Sequence, residues 1–100
     1  MKSIRITSLV QAAWPELSRK LELELETPCS LRTGQSWISH EAQMPEGFCV
    51  HAWSALYPYV LALANGAQSF FDGWMKKPGT ALVSCPDGFR PMSFLLEVQD

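Results

Sequence analysis

The sequence predicts a single α+β domain in which a mainly antiparallel sheet packs against one long helix. A chain of 100 residues, 47% of them hydrophobic, is long and apolar enough to fold as one domain over residues 1–100. Short segments with alternating or β-branched residues lie near both ends of the chain. One longer segment between them repeats its apolar residues at helical spacing. This arrangement is typical of the α+β class.

The first predicted elements are a strand and a short helix. Residues 3–10 alternate two isoleucines with polar residues, which predicts a strand with one buried face. Pro15 and the glutamate after it suit the positive amino end of a helix. This helix would turn Leu17 and Leu21 toward the core.

Two further strands are predicted before the principal helix. Residues 21–26 repeat Leu-Glu three times, and strict alternation is a strand pattern. Leu and Glu are also strong helix formers, but a helix would spread the three leucines around most of its circumference. We therefore expect a strand that begins at the first or second leucine. Residues 34–39 predict the other strand, with Trp37 or Ile38 turned inward.

Residues 48–65 predict the principal helix. Its apolar stripe consists of Cys49, Trp53, Leu56, Val60 and Leu63. The Asn-Gly pair at residues 65–66 is a helix stop signal. Pro58 conflicts with the pattern, because a proline inside a helix costs about 3 kcal/mol. One helix kinked at Pro58 and two shorter helices that meet there are both compatible with the sequence.

The last third of the chain predicts a loop followed by a hairpin. Residues 68–79 form the loop, which is rich in Phe and Gly. Residues 80–85 and 92–98 predict two strands, and the Pro-Asp-Gly sequence between them supplies the turn. The predicted order of elements is β-α-β-β-α-β-β.

Charge and hydropathy exclude several classes of partner. The net charge is −2, and the eight Lys and Arg residues are scattered, so nucleic acid is not expected as a main partner. The longest apolar stretch, residues 52–64, is interrupted and shorter than the roughly 20 residues that span a bilayer. Charges near the first residues argue against a signal peptide. We expect no membrane association and a cytoplasmic location, where thiols stay reduced.

The three cysteines, Cys29, Cys49 and Cys85, each lie at a predicted turn or helix entry. Chains place chemistry in such positions, because a rigid scaffold there presents side chains to a cleft. Three is an odd number, so a simple disulfide framework is not expected. The cysteines therefore predict a shared site, although the sequence specifies no reaction.

Three segments of the chain carry longer motifs. Cys29 is followed by Gly34 and Trp37, and residues 45–53 are Pro-Glu-Gly-Phe-Cys-Val-His-Ala-Trp. Residues 85–91 are Cys-Pro-Asp-Gly-Phe-Arg-Pro. Together with the aromatic helix between them, these segments resemble an uncharacterised family of small prokaryotic proteins of about this size, with Cys…PEGxCxxAW…CxDGxRP motifs.

The resemblance implies a site built from the same three cysteines. It also implies that Asp87 and Arg90 lie near that site. It names no substrate.

A metal centre is the first interpretation of the cysteines, with Cys29, Cys49 and Cys85 as the ligands. Thiolates select zinc, copper(I) or iron–sulfur clusters. The long separations are unlike the paired cysteines of a zinc finger, so the site would have to assemble from three turns. A cluster held by three cysteines would leave one iron open to substrate. The candidates for a fourth ligand to zinc are His40, His51 and Asp87.

Geometry limits the use of His51 beside Cys49. Residues two apart on an ideal helix point in nearly opposite directions. Both can therefore bind one metal only if the chain at Cys49 is not yet helical.

Two other interpretations of the cysteines stay open. Cys49 at the amino end of a helix could be a reactive thiol in a thiol-dependent enzyme, with Asp87 and Arg90 as further catalytic candidates and a histidine as base. Each cysteine could instead be structural, because free cysteine packs as a small hydrophobic residue. In that case Asp87 is a turn residue, and Arg90 ties it or Glu46 in place.

The aromatic loop gives an alternative function as a non-catalytic interaction module. Phe70, Phe71 and Trp74 lie close together in an apolar segment. Exposed apolar patches mark partner surfaces. We expect this loop to dock on a protein partner or on a second copy, which would make the protein a homo-oligomer.

Overall fold

The computed structural model describes residues 1–24 and 29–99, which form two helices and one four-stranded sheet. The elements are β1 (Ser3–Gln11), α1 (Pro15–Leu21), β2 (Ser36–Ser39), α2 (Val50–Ala64), β3 (Thr80–Ser84) and β4 (Met92–Gln99). The predicted α+β class is confirmed.

The sheet has the strand order β2-β1-β4-β3, and each neighbouring pair is antiparallel. The first and last strands therefore pair at its centre, with Ser3 opposite Gln99. The predicted hairpin forms between β3 and β4. A register shift between Ser8 and Val10 interrupts the pairing of β1 with β4.

The core lies between one face of this sheet and α2. On the central strands, alternate side chains are buried because a strand turns successive residues to opposite faces. The sheet contributes Ile4, Ile6, Ala81, Met92, Phe94 and Leu96, all fully buried. Helix α2 contributes Ala52, Leu56, Val60 and Leu63, which are fully buried as well. Trp37 packs against this core, so of the two residues that could turn inward, Trp37 is the one that does.

Helix α2 ends at the predicted stop signal. Gly66 adopts a positive φ of 102°, which an L side chain rarely tolerates. The Gly66 amide donates to the Leu63 carbonyl at 3.1 Å, and the Ala67 amide donates to the Ala62 carbonyl at 3.0 Å. These two bonds form a Schellman motif, which satisfies the last carbonyls of the helix.

The helix continues through Pro58 rather than dividing into two shorter helices there. Pro58 lies on the exposed side. A kink at this residue stays a prediction. No helix in residues 1–24 and 29–99 is long and apolar enough to cross a membrane.

The strand predicted over residues 21–26 is wrong where the structure describes it. Leu21 ends α1, and residues 22–24 belong to no strand; residues 25–26 lie outside the described residues. Leu21 and Leu23 are 73% and 84% exposed, so neither of these two leucines enters a core. Within residues 1–24 and 29–99 the order of elements is therefore β-α-β-α-β-β.

The predicted inner face of α1 is also wrong. Helix α1 begins at Pro15 as expected, but none of its residues is buried. Leu17 is 45% exposed. This helix is held by polar contacts with the loop between β3 and β4, which are described below.

Candidate functional site

All three cysteines line one pocket with a volume of about 550 Å³. Its walls come from residues 29–31, the start of α2 and the beginning of the β3–β4 loop. Pockets of this size accommodate small ligands. The remaining lining residues are Ser30, Leu31, His51, Ala52, Pro86 and Asp87.

Cys49 is the N-cap residue of α2. Its φ of −67° and ψ of 121° are extended, and its carbonyl accepts a hydrogen bond from the Trp53 amide at 2.9 Å. The chain therefore becomes helical only after Cys49. This satisfies the condition under which Cys49 and His51 can face one site, and both line the pocket.

Cys85 is fixed by the end of the β3–β4 hairpin. Its side chain is buried, with 9% of the residue exposed. The Met92 amide donates to Cys85 Sγ at 3.3 Å, and the Cys85 amide donates to the Met92 carbonyl at 3.0 Å. The sulfur therefore has a fixed position and an N–H donor. All three cysteines are free thiols.

Asp87 orders the turn that follows Cys85. Its Oδ1 accepts the amide hydrogens of Phe89 at 2.8 Å and Arg90 at 3.0 Å. These bonds, with the Arg90 amide as the larger contributor, hold the pKa of Asp87 below its usual value. The prediction that Asp87 is a turn residue that binds nearby amides is confirmed.

The Arg90 side chain binds Glu22, at the end of α1. Nη1 donates to Glu22 Oε1 at 2.9 Å, Nη2 donates to Glu22 Oε2, and Nη1 also contacts Ser18 Oγ at 3.3 Å. This fork-shaped contact lowers the pKa of Glu22 and raises that of Arg90. The predicted tie to Glu46 is wrong, and Asp87 binds the Arg90 backbone instead of its guanidinium.

Glu22 is a residue of this contact that the sequence did not predict, although one signal was present. Placing Glu22 in a strand separated it from Ser18. Extending the helix that begins at Pro15 would have put the two residues four apart on one face, pointing the same way. Nothing local in the sequence, however, connects that face with Arg90.

The predicted fourth ligands separate into two groups. His51 and Asp87 line the pocket with the cysteines. His40 does not line it, and its Nδ1 lies 3.0 Å from Ser3 Oγ near the start of β1. No group of three or more His, Cys, Asp and Glu side chains within residues 1–24 and 29–99 is arranged to hold a metal ion. The three thiols thus occupy separate walls of the pocket.

The aromatic loop contributes no residue to the pocket lining. Phe70 packs on Tyr59 of α2, with ring centroids 5.1 Å apart. Phe71 and Trp74 are 68% and 47% exposed, and their rings are 4.9 Å apart. The loop thus presents two adjacent aromatic side chains to solvent.

Comparison of the chain with protein-family models, with curated proteins and with solved structures finds no significant match. The motif resemblance stays a prediction. The pocket and the exposed surfaces of the protein are therefore the features that indicate its function.

Proposed function

We propose that the pocket binds a thiophilic metal, either zinc or an iron–sulfur cluster, through Cys29, Cys49 and Cys85. One observation carries the proposal: three thiols that are far apart in sequence line the same pocket. Soft thiolate ligands favour these metals. A cytoplasmic location belongs to the same proposal, because a reducing compartment keeps all three thiols available.

The surroundings of the thiols support this chemistry. The Met92 amide already donates to Cys85 Sγ, and such N–H bonds stabilise metal-bound sulfur. His51 or Asp87 would complete the four ligands of a zinc site. A cluster held by the three cysteines alone would keep one iron open for substrate.

Metal binding requires the pocket to contract, because the thiols lie on separate walls. Cys29 belongs to no helix or strand, whereas Cys49 begins α2 and Cys85 follows β3. Movement of the Cys29 wall therefore disrupts no regular element. A cluster would fill more of the pocket volume of about 550 Å³ than a single ion and would need the smaller movement.

The test is metal analysis and absorption spectroscopy of protein purified without oxygen, followed by titration with Zn²⁺ and by cluster reconstitution. We expect either stoichiometric zinc or iron with broad visible absorbance. Cys49→Ser, Cys29→Ser and Cys85→Ser should each weaken binding. Ser30→Ala is the matched control, because Ser30 lines the same pocket without a thiol. A folded protein that takes up neither zinc nor a cluster would refute the proposal.

A second candidate function is self-association through the aromatic surface, which we define as Tyr57, Leu61, Phe71 and Trp74. Each of these side chains is at least 37% exposed. Helix α2 contains no acidic or basic residue apart from His51, and the ring centroids of Phe71 and Tyr59 lie 6.5 Å apart, so the loop packs beside the helix. Two copies could meet through α2 without opposing like charges, which favours a second copy as the occupant.

Light scattering over a range of protein concentrations tests this candidate. We expect a dimer that Phe71→Ser and Trp74→Ser convert to a monomer. Val10→Ser is the control, because Val10 is 60% exposed on β1, outside this surface. A monomer at all concentrations would refute self-association. The third alternative, a thiol-dependent enzyme that uses Cys49, stays a prediction.

A further inference from the structure

The face of the sheet that points away from α2 is uncovered within residues 1–24 and 29–99. Helix α2 is the helix that packs on the strands, and α1 buries no residue. Ile6 and Leu96 are fully buried in the core between the sheet and α2. Since successive residues of a strand point to opposite faces, Arg5 and Glu97 lie on the uncovered face.

Six side chains define this uncovered surface, which we call the outer face: Arg5, Thr7, Ile38, Leu82, Leu95 and Glu97. Residues that pair directly across an antiparallel ladder point to the same side of the sheet. One row runs from Ile38 through Arg5 to Glu97. The next row runs from Thr7 through Leu95 to Leu82, which is 41% exposed. The outer face therefore combines aliphatic side chains with one positive and one negative charge.

The two charges of the outer face lie side by side at the centre of the sheet, where β1 pairs with β4. Arg5 Nη2 donates to Gln99 Oε1 at 3.3 Å. Within the described residues, neither Arg5 nor Glu97 takes part in a salt bridge. Both charges are therefore available to a partner that approaches this face.

We propose that the outer face binds the outer face of a second copy of the chain. The two-fold axis would run parallel to the strands, midway between β1 and β4, so that each β1 lies over the partner's β4. Arg5 then lies over the partner's Glu97, and Glu97 lies over the partner's Arg5. The two ion pairs form between sheets that pack about 10 Å apart with their strands nearly aligned.

The positions of the charges favour a second copy over an unrelated partner. A two-fold interface requires a surface that is complementary to itself. The outer face meets this requirement, because the axis exchanges the positions of Arg5 and Glu97. An axis running across the strands would instead place Arg5 over the partner's Arg5, and like charges repel. The charges therefore specify both the occupant and the direction of the axis.

The size of the outer face predicts a weak dimer. Four strands about 4.8 Å apart, with about five residues each, cover roughly 300 Å² of flat sheet per copy. A stable interface buries about 800 Å² of accessible surface per partner. We therefore expect a dimer that dissociates on dilution.

Sedimentation equilibrium of the whole chain, under reducing conditions and over a range of concentrations, tests the proposal. Arg5→Glu and Glu97→Arg should each raise the dissociation constant of the dimer about tenfold or more, because each variant opposes like charges twice. An equimolar mixture of the two variants should form the dimer again, since both pairs across that heterodimer are opposite in sign. A change confined to one chain cannot produce this recovery.

Lys20→Glu is the matched control, because it makes the same change of charge at an exposed position on α1, outside the outer face. Its dissociation constant should equal that of the unaltered protein. Circular dichroism verifies that each variant is folded. If Glu97→Arg does not fold, the comparison of Arg5→Glu with Lys20→Glu carries the test.

Three results would overturn the outer-face dimer: a monomer at every concentration up to about 1 mM, a dimer that Arg5→Glu leaves unchanged, or a mixture of the two folded variants that stays monomeric. Loss of the dimer in Phe71→Ser but not in Arg5→Glu would assign self-association to the aromatic surface instead. The measurement requires no metal, so its outcome is independent of metal binding in the cysteine pocket.

Discussion

The two helices are attached to the sheet in different ways. Helix α2 is held by buried apolar side chains, whereas α1 buries none and depends on hydrogen bonds and one ion pair. Burial of apolar side chains stabilises the fold whatever their relative orientation, whereas a hydrogen bond weakens steeply when its distance or angle changes. The α2 side should therefore determine whether the protein folds. The α1 side should contribute less to the stability of the fold.

The largest expected effect on stability comes from a substitution in the core between α2 and the sheet. Phe94 is fully buried, and its ring lies 5.6 Å from that of Phe48. Phe94→Ala should lower the free energy of unfolding by about 3–5 kcal/mol, because it removes buried area and leaves a cavity. Urea unfolding measures this, with Val10→Ala on the exposed part of β1 as control. A loss below about 1 kcal/mol would contradict the assignment of the core.

The end of α2 should show a smaller effect. Gly66→Ala should cost about 1–2 kcal/mol, because an L residue is strained at the positive φ of Gly66. No atom lies within 4 Å of the added Cβ, so the cost comes from the backbone alone. Gly88→Ala is the control, since its φ is not positive and its Cβ also meets nothing. Equal stabilities of the two variants would argue against the Schellman motif.

Lowering the pH should weaken the polar contacts of α1 before it affects the apolar core. The pKa values of Glu22 and Asp87 are lowered in the folded protein, so their contribution is present above the unfolded pKa. It is lost as the pH falls below about 4 and through the folded values. Unfolding free energies measured between neutral and acidic pH should fall less steeply in Glu22→Gln. Identical slopes would show that the ion pair does not stabilise the fold.

The smallest effect is expected on the surface of α1. Leu21 is 73% exposed, so Leu21→Ser should change the free energy of unfolding by less than about 0.5 kcal/mol. Thermal unfolding at low concentration measures this. A loss above about 1 kcal/mol would mean that the leucine is covered, for example by a second copy, and the contrast between the helices would fail.

The sequence predicted features that depend on local pattern. The stripe containing Leu56 and Val60 specified α2, and the Asn-Gly pair specified its end. The strand predicted from the Leu-Glu repeat was wrong because alternation shows only which side chains could share a face. It does not show whether a neighbouring strand is present to pair with the segment. Residues 22–24, the described part of the repeat after Leu21, belong to no strand.

The candidate site also has features that local sequence pattern predicts and features that it does not. Turn and helix-entry positions identified Cys49 and Cys85 as candidates before any fold was known. Their meeting in one pocket, and the contact of Glu22 with Arg90, join residues distant in sequence. Such contacts leave no periodic signal, because periodicity reports only the neighbours of a residue within one element.

The pairing of β1 with β4 has a consequence for how the protein is made. During synthesis, β1 leaves the ribosome long before its central partner exists. The pairing of β1 with β4 can form only after the last strand has been made, and contacts between such distant segments form slowly. The hairpin of β3 and β4 can form quickly once it has been synthesised, because its two strands are close in sequence. Strand β1 can then pair with the β4 edge of this hairpin. Conditions that delay completion of the chain should therefore favour aggregation over folding.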